Sequence, residues 1–342
     1  MEVEMKKLPL LATVLTALAA LLLAACGTND NGNSSANNAS TSASADEQTT
    51  NSTAKNSANN ENGDGEFPIT VVGSNGQVTI EARPEAIISL SPTGTEMLFA
   101  ISAGDQVIAV DTYSYYPAEA PVSDLSGFQP NVEAIAAYEP DLVVMSKDPG
   151  DVEDALGQIG IPVLVLSSAV ELNDTYTQIE TLGAATGNIA DAAALVAKMQ
   201  SEINEIVASL PANPPTQTYY HELTDGLYSV SSNTFIGQVY SLLGLKSIGD
   251  EAEGVAASGG YPQLSAEFIV NADPDFIFLA DALCCDQNLN TVAARPGWDN
   301  LAAVTNSRVI ELDDDIASRW GPRIVDHLRL VADAVTTALA ES

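Results

Sequence analysis

The apolar positions fall into three regimes along the chain. Residues 8–25 form a continuous apolar run, and residues 27–66 hold no large aliphatic or aromatic side chain. From Phe67 onward short apolar runs alternate with helical patterns. In this last regime the runs at 86–90, 106–110, 142–145 and 162–166, and again at 216–220, 276–279 and 308–312, have the length and branched or aromatic content of buried strands. Residues 69–80 read as a leading hairpin turning at Asn75-Gly76. Thr93-Gly-Thr-Glu96 has capping-box spacing and predicts a helix over 97–103; residues 236–243 are helical in the second half. Strands alternating with helices in each half predict an α/β fold with mostly parallel sheets.

One helical pattern stands apart. Ile189, Ala192, Val196, Met199, Ile203, Ile206 and Leu210 recur at spacings of three and four between Asn188 and Pro211. This is an unbroken apolar stripe on one face, and a helix of that length rises about 33 Å. A coiled-coil seam would show the same stripe. A single copy at the centre of an internal repeat fits a spine between two lobes better.

The repeat is visible in the residues. Glu133-Ala-Ile-Ala-Ala-Tyr-Glu-Pro140-Asp141-Leu-Val-Val has a partner in Glu267-Phe-Ile-Val-Asn-Ala-Asp-Pro274-Asp275-Phe-Ile-Phe. Each reads as a short helix, then Pro-Asp, then a buried strand, with Asn131 or Ser265 two residues ahead of the Glu as the N-cap. A further strand signal follows each copy, later in the second half, which carries an insertion in the loop holding Cys284 and Cys285.

Composition narrows the classes of function. Lys and Arg number 12 against 46 Asp and Glu, a formal net charge of −34. Nucleic-acid binding and a basic patch on anionic lipid both need a positive surface that this chain lacks. From Phe67 on, 9 basic and 38 acidic side chains remain, an excess that serves solubility. Two His and three Cys cannot build a zinc cluster or a disulfide-rich scaffold, and no metal site is expected. His221 and His327 read as structural or surface residues, and Asp313-Asp314-Asp315 as an acidic loop end. There is no Gly-x-Ser-x-Gly elbow and no phosphate-binding Gly-Lys-Ser/Thr loop, so no catalytic residue is assigned and no cofactor is expected.

The N-terminus carries an address. Lys6-Lys7, the apolar run and the small residues ending in Leu23-Ala24-Ala25-Cys26 make an export signal over residues 1–25, with Met5 an alternative start to Met1. A single transmembrane helix is the competing reading of the run. The Leu-Ala-Ala-Cys sequence resembles a lipobox, which implies acylation of Cys26. Residues 26–66, with ten Asn after the Cys, then read as a lipidated, disordered tether reaching about 35 Å from the outer face of the cytoplasmic membrane.

Several folded segments resemble the iron-siderophore and vitamin B12 family of ABC-transporter substrate-binding proteins. They are Ala82-Arg-Pro-Glu-Ala-Ile-Ile-Ser-Leu-Ser-Pro-Thr-Gly-Thr-Glu-Met-Leu98, Asp111-Thr-Tyr-Ser-Tyr-Tyr-Pro117, the two Glu-centred repeats, Ala294-Arg-Pro-Gly-Trp298 and Trp320-Gly-Pro-Arg323. The resemblance implies two Rossmann-like lobes, 67–187 and 211–342, joined by a single long helix over 188–210, with a ligand cleft between them. It also implies a monomer that binds a small molecule and delivers it to a two-fold pair of permease subunits, with Glu133 and Glu267 docking on them. Ligands of open α/β sheets sit beyond the carboxyl ends of the strands. Tyr113, Tyr115, Phe128, Arg319 and Trp320 are therefore candidate ligand contacts, Phe128 standing where cobalamin-binding relatives carry an aromatic residue. Cys284 and Cys285 are candidate contacts too. Once Cys26 is acylated they can pair with each other, stay reduced or bond between molecules; a strained vicinal disulfide forming a plate at the cleft is the expectation, with two buried thiols as the alternative. The negative field disfavours an anionic ferric siderophore unless Arg319 and Arg323 reverse it locally. The first reading is thus a corrinoid of cobalamin type. A siderophore or haem is second, and a surface interaction or sensor protein without transport is third.

Overall fold

The chain builds one sheet pattern twice. The computed structural model describes residues 65–211 and 215–341, so the expected signal, Cys26 and nearly all of the tether lie outside the described residues. A hairpin, β1 (Ile69–Gly73) and β2 (Gly76–Ile80), leads, as the Asn-Gly turn predicts. The first lobe follows with β3 (Ile87–Leu90), α1 (Pro92–Ala100), β4 (Val107–Val110), α2 (Val132–Ala136), β5 (Leu142–Met145), α3 (Val152–Gly157), β6 (Val163–Val165) and α4 (Leu172–Thr186). After α5 (Ile189–Ser209) the second lobe contains β7 (Gln217–Glu222), α6 (Phe235–Ser241), β8 (Leu245–Ser247), α7 (Ala266–Ala272), β9 (Phe276–Leu279), α8 (Ala282–Cys285), α9 (Leu289–Ala293), α10 (Ala302–Thr305), β10 (Val309–Glu311), α11 (Asp314–Ser318) and α12 (Ile324–Glu341).

Both four-stranded sheets are parallel throughout, in the orders β4-β3-β5-β6 and β8-β7-β9-β10. Counted within its lobe, each order is second-first-third-fourth, so the repeat seen in the sequence is a repeat of topology. Strands β3, β5, β6 and β9 are buried at every position, which is why they read as apolar runs, whereas the edge strands β8 and β10 are partly exposed. Ile87, Leu142, Val144, Tyr219, Phe276 and Phe278 point into one core that runs through both lobes. Their neighbours alternate outward: Ile88, Val143 and Met145 into a separate first-lobe core, Tyr220, Ile277 and Leu279 into a second-lobe one.

The middle five of the seven stripe positions on α5 do what their spacing predicts, while Ile189 is exposed and Leu210 half-buried at the ends. Ala192, Val196, Met199, Ile203 and Ile206 are buried, and α5 packs on α4 and α12 within the shared core. Its 21 residues rise about 32 Å. The lobes therefore meet along a stack of long helices as well as through one covalent link.

The repeated Pro-Asp pairs have a matching job. Asp141 Oδ2 accepts from the backbone N–H groups of Glu85 and Ala86, at 2.9 and 3.0 Å, just before β3. Asp275 Oδ2 accepts from Thr218 N at 2.7 Å and from its hydroxyl at 3.1 Å, at the start of β7. Each carboxylate thus pins the neighbouring strand of its own sheet. Asn131 and Ser265 cap α2 and α7 as expected, accepting from Ala134 N and Phe268 N.

One local expectation is corrected. The N-cap of α1 is Ser91, whose Oγ accepts from Gly94 N, with Pro92 opening the helix. Thr93 and Glu96 lie inside the helix and are buried, so the four-residue pattern is no capping box. Neither α4 nor the edge strand β8 is among the expected elements, although Leu172, Tyr176, Ile179 and Leu182 of α4 fall at helical spacing.

Candidate functional site

Four of the seven expected ligand contacts converge. Tyr113, Phe128, Arg319 and Trp320 line a cavity of about 390 Å³ together with Ser91, Asp111 and Lys147. Tyr113 lies beyond the carboxyl end of β4, Ser146 and Lys147 beyond β5, Ser318 at the end of α11, and Arg319 and Trp320 between α11 and α12. The first lobe thus supplies most of the walls, and a segment arriving after β10 closes them.

The walls are aromatic and held in place. The Tyr113 and Phe128 rings meet edge to face with centroids 5.5 Å apart, and the two residues are 54% and 61% exposed. Large apolar surfaces left this open on a rigid frame suit capture of a ligand. The Lys147 ammonium stands 4.9 Å from the Phe128 centroid. Asp111, buried, accepts from Tyr113 N and from the Ser114 hydroxyl, fixing the loop that presents Tyr113. Gly127 is required here, because a Cβ at that position would fall 2.4 Å from the Leu90 carbonyl oxygen. Trp320 Nε1 donates to Gln178 Oε1 at 2.9 Å, and Thr175 donates to the Trp320 carbonyl at 3.0 Å. Both partners belong to α4, so Trp320 is anchored on the first lobe's side of the cleft.

The arginines at this wall are paired. Glu96 on α1, almost fully buried, accepts from Arg319 Nη1 at 2.7 Å and from Arg323 Nε and Nη2 at 2.9 and 2.6 Å. Arg319 Nη2 donates to Asp315 Oδ1 at 2.7 Å and to the Tyr113 carbonyl at 3.2 Å. Tyr115 does not line the cavity; the Arg319 guanidinium lies 5.6 Å from its ring centroid. Its hydroxyl bonds Asp315, which with partial burial raises its pKa. Tyr116 stacks beneath Arg323, 4.0 Å from ring centroid to guanidinium carbon. The sequence reading missed Glu96 as a site residue. Its signal was present: a glutamate inside an otherwise apolar, buried helix needs a cationic partner.

The remaining expectations fall elsewhere. Cys284 and Cys285 do not line the cavity and are free, exposed thiols, which corrects both the disulfide plate and the buried pair. They sit in an ordinary helical turn, whereas a bond between neighbours brings the Cα atoms closer than disulfides usually allow. Asp314 accepts from Leu283 N and Cys284 N, tying that turn to α11. The adjacent thiol, burial and Asp314 push the Cys284 thiol up to about 12, so it stays protonated. Asp313 caps α11 through Ile316 N, so every member of the Asp313–Asp315 run has a protein partner. Among the described residues no group of three or more His, Cys, Asp or Glu could hold a metal ion. The two histidines are structural. His221 Nδ1 lies 2.8 Å from the Tyr240 hydroxyl, and burial first, then His327, lowers its pKa to about 3; burial lowers His327 to about 4.

A larger hollow of about 640 Å³ lies at the opposite edge of the first sheet, lined by Arg83, Glu85, Pro140, Asp141 and Pro162. It touches the amino ends of the strands, where Asp141 does its pinning, and has no aromatic wall. The carboxyl-end cavity is the functional candidate.

Glu133 and Glu267 are exposed in the first turns of α2 and α7, at equivalent positions of the two lobes. Two parallel sheets on a helical spine with an aromatic cavity at the carboxyl ends suit ligand capture.

Comparison with known proteins agrees. A family model described as periplasmic binding protein matches residues 87–316, and the chain belongs to that family. It is 30% identical over 279 residues to an uncharacterised ABC transporter substrate-binding lipoprotein of Bacillus subtilis, covering 79% of this chain and 86% of that protein. A cobalamin-binding protein of Halobacterium salinarum is 31% identical over 282 residues, covering 78% and 74%. The crystal structure of a periplasmic vitamin B12 binding protein of Vibrio cholerae aligns with TM-score 0.61 at 25% identity, over 75% of this chain and 98% of that one. A periplasmic haem-binding protein of the same organism shares the fold, with TM-score 0.65 at 20% identity over 74% and 99%. The chain is a substrate-binding protein of an ABC importer, acting outside the cytoplasm, and not an enzyme.

Proposed function

We propose that this protein captures a corrinoid of cobalamin type and hands it to a two-fold ABC permease, held at the membrane by acylated Cys26. The observation that carries the ligand class is the electrically balanced, aromatic cleft. Tyr113, Phe128 and Trp320 offer flat apolar contacts, while Arg319 is engaged by Glu96 and Asp315. A large, flat, nearly neutral ligand gains from stacking on such walls and needs no free guanidinium to hold it. The name of the Halobacterium relative points the same way. Haem is the second reading, supported by the exposed Tyr113 phenol on the cavity wall, since a tyrosine oxygen can ligate ferric haem.

The test is titration of the mature domain with cyanocobalamin, haem and ferric siderophores, followed by Trp fluorescence. Corrinoid binding tighter than about 10 μM is expected, together with a loss of about tenfold in Phe128→Ala. No corrinoid binding at that level, or saturable binding of haem alone with an absorbance band that Tyr113→Phe abolishes, would discard the first reading.

A further inference from the structure

We infer that Glu96 sets the ligand-charge selectivity of the cleft, by cancelling two arginines that would otherwise make its wall cationic. The inference deepens the corrinoid reading and rests on this cavity being the ligand site. Glu96 does not line the cavity; it acts through Arg319, which does. One carboxylate receives three hydrogen bonds from two guanidinium groups delivered by the chain between α11 and α12. The side chains are 2% exposed for Glu96, 10% for Arg319 and 15% for Arg323, so water screens the group poorly.

The arrangement is tight enough to be selective. Gly321 passes so near that a Cβ there would lie 3.2 Å from Glu96 Oε2, which leaves little room for a longer approach. Glu96 alone would leave two arginines on one acid. Asp315, at 2.7 Å from Arg319 Nη2, supplies the second negative charge. The four groups balance, and the donors of Arg319 point at Glu96, Asp315 and the Tyr113 carbonyl. Arg319 therefore forms part of the wall with its charge spent. An anionic chelate entering the cleft finds no free guanidinium and meets one ammonium, that of Lys147 beside Phe128, while the surrounding excess of acids repels it. Removing the Glu96 charge leaves one uncompensated cation at the wall. Glu96 is thus a positioning and specificity residue.

The experiment compares Kd for cyanocobalamin, a neutral corrinoid, with Kd for a trianionic ferric tris-catecholate, in wild type, E96Q, E96Q/R323Q and D315N. The wild type is expected to favour the corrinoid. In E96Q the ratio moves towards the trianion by about tenfold or more. The charge-balanced E96Q/R323Q returns to within about threefold of wild type. D315N removes the more exposed acid, keeps the buried clamp and moves the ratio the same way by about threefold. D315N also decides the matter if E96Q fails to fold. A wild type that favours the corrinoid, with no shift in either E96Q or D315N, overturns the role of Glu96 and leaves the ligand reading standing. A wild type that favours the trianion overturns both. Should the wild type bind neither, the ligand reading falls, and an E96Q or D315N affinity for the trianion no better than wild type overturns the inference as well.

Discussion

In the first lobe a single short helix, α3, leads from β5 to β6; in the second, the same step from β9 to β10 passes through α8, α9, the short turn at Trp298–Asn300 and α10. The sheets that these steps connect have one strand order. What repeats is what each sheet needs in order to stand: the Pro-Asp pin on the neighbouring strand, the capped helix before it and the two-sided burial of the strands. What diverges lies at the carboxyl ends. The first lobe leaves Tyr113 and Phe128 open there, whereas the second follows β9 with α8 and α9 and holds a polar cluster of buried Glu222, Asp281 and Tyr220 with half-buried Arg295. Conserving the sheet while varying the loops lets one frame carry a ligand wall on one side and a structural lid on the other.

The sharpest way to break the comparison is through its symmetric surface feature. Glu133 and Glu267 occupy equivalent exposed turns, so a partner with two-fold symmetry can meet both alike. Helix-dipole stabilisation of about 0.3–1 kcal/mol would account for either glutamate alone. Changing both to Arg is expected to reduce ligand uptake in cells to background, while ligand affinity of the isolated domain stays unchanged. Preserved uptake would remove the docking role, and lost ligand binding would move the pair into the fold.

Next in size is the second lobe's own anchor. Arg295 bridges to Glu222 through two bonds of 2.5 and 2.6 Å, also donates to Gln287 Oε1, and lies 4.6 Å from the Trp298 ring centroid. Breaking such a buried pair from one side costs about 3–5 kcal/mol, because the other charge is stranded. Glu222→Gln is therefore expected to lower the denaturant midpoint strongly. Asp148, whose carboxylate caps the start of α3 at the exposed end of the first lobe, should cost about 1 kcal/mol when changed to Ala. Equal losses would show that the inserted helices do not depend on the buried pair.

Much of this organisation was legible in the sequence. The strand runs, the hairpin, the stripe on α5 and both N-caps depend on local spacing, and spacing is what a sequence displays. Tyr113, Phe128, Arg319 and Trp320 were legible because strand ends and a family resemblance together located the cleft. The misses share a physical cause. Glu96 lies 223 residues from Arg319, so its partner is set by topology, and nearby Thr93 imitated a cap. The cysteines were placed at the cleft because they follow the carboxyl end of the 276–279 strand, and were paired because they are adjacent, whereas their backbone takes a helical turn held by Asp314, about thirty residues on. The short edge strand β8 has only Leu245 and Ser247 facing inward, too little pattern to read.

The smallest expected effect tests whether the second lobe's lid carries a cost of its own. Asp281 is fully buried at the carboxyl end of β9, and neither carboxylate oxygen has a hydrogen-bond partner from another residue. Burial first, then the charge of Glu222, raises its pKa to about 7, against opposing contributions from its own backbone and Arg295. The folded protein then holds a proton between roughly pH 4 and 7 that the unfolded chain, with an ordinary aspartate, releases. Stability from this group is complete below the unfolded pKa and is lost as pH rises through the folded one. Asparagine resembles the protonated acid at every pH. Asp281→Asn should therefore match wild type near pH 4 and exceed it by about 1–2 kcal/mol at pH 8, after allowance for screening. Urea melts across that range measure the difference. A gain that is constant with pH would mean that the substitution acts through packing, and a loss at pH 8 would mean that the carboxylate is bound by a group in the folded lid and supports it.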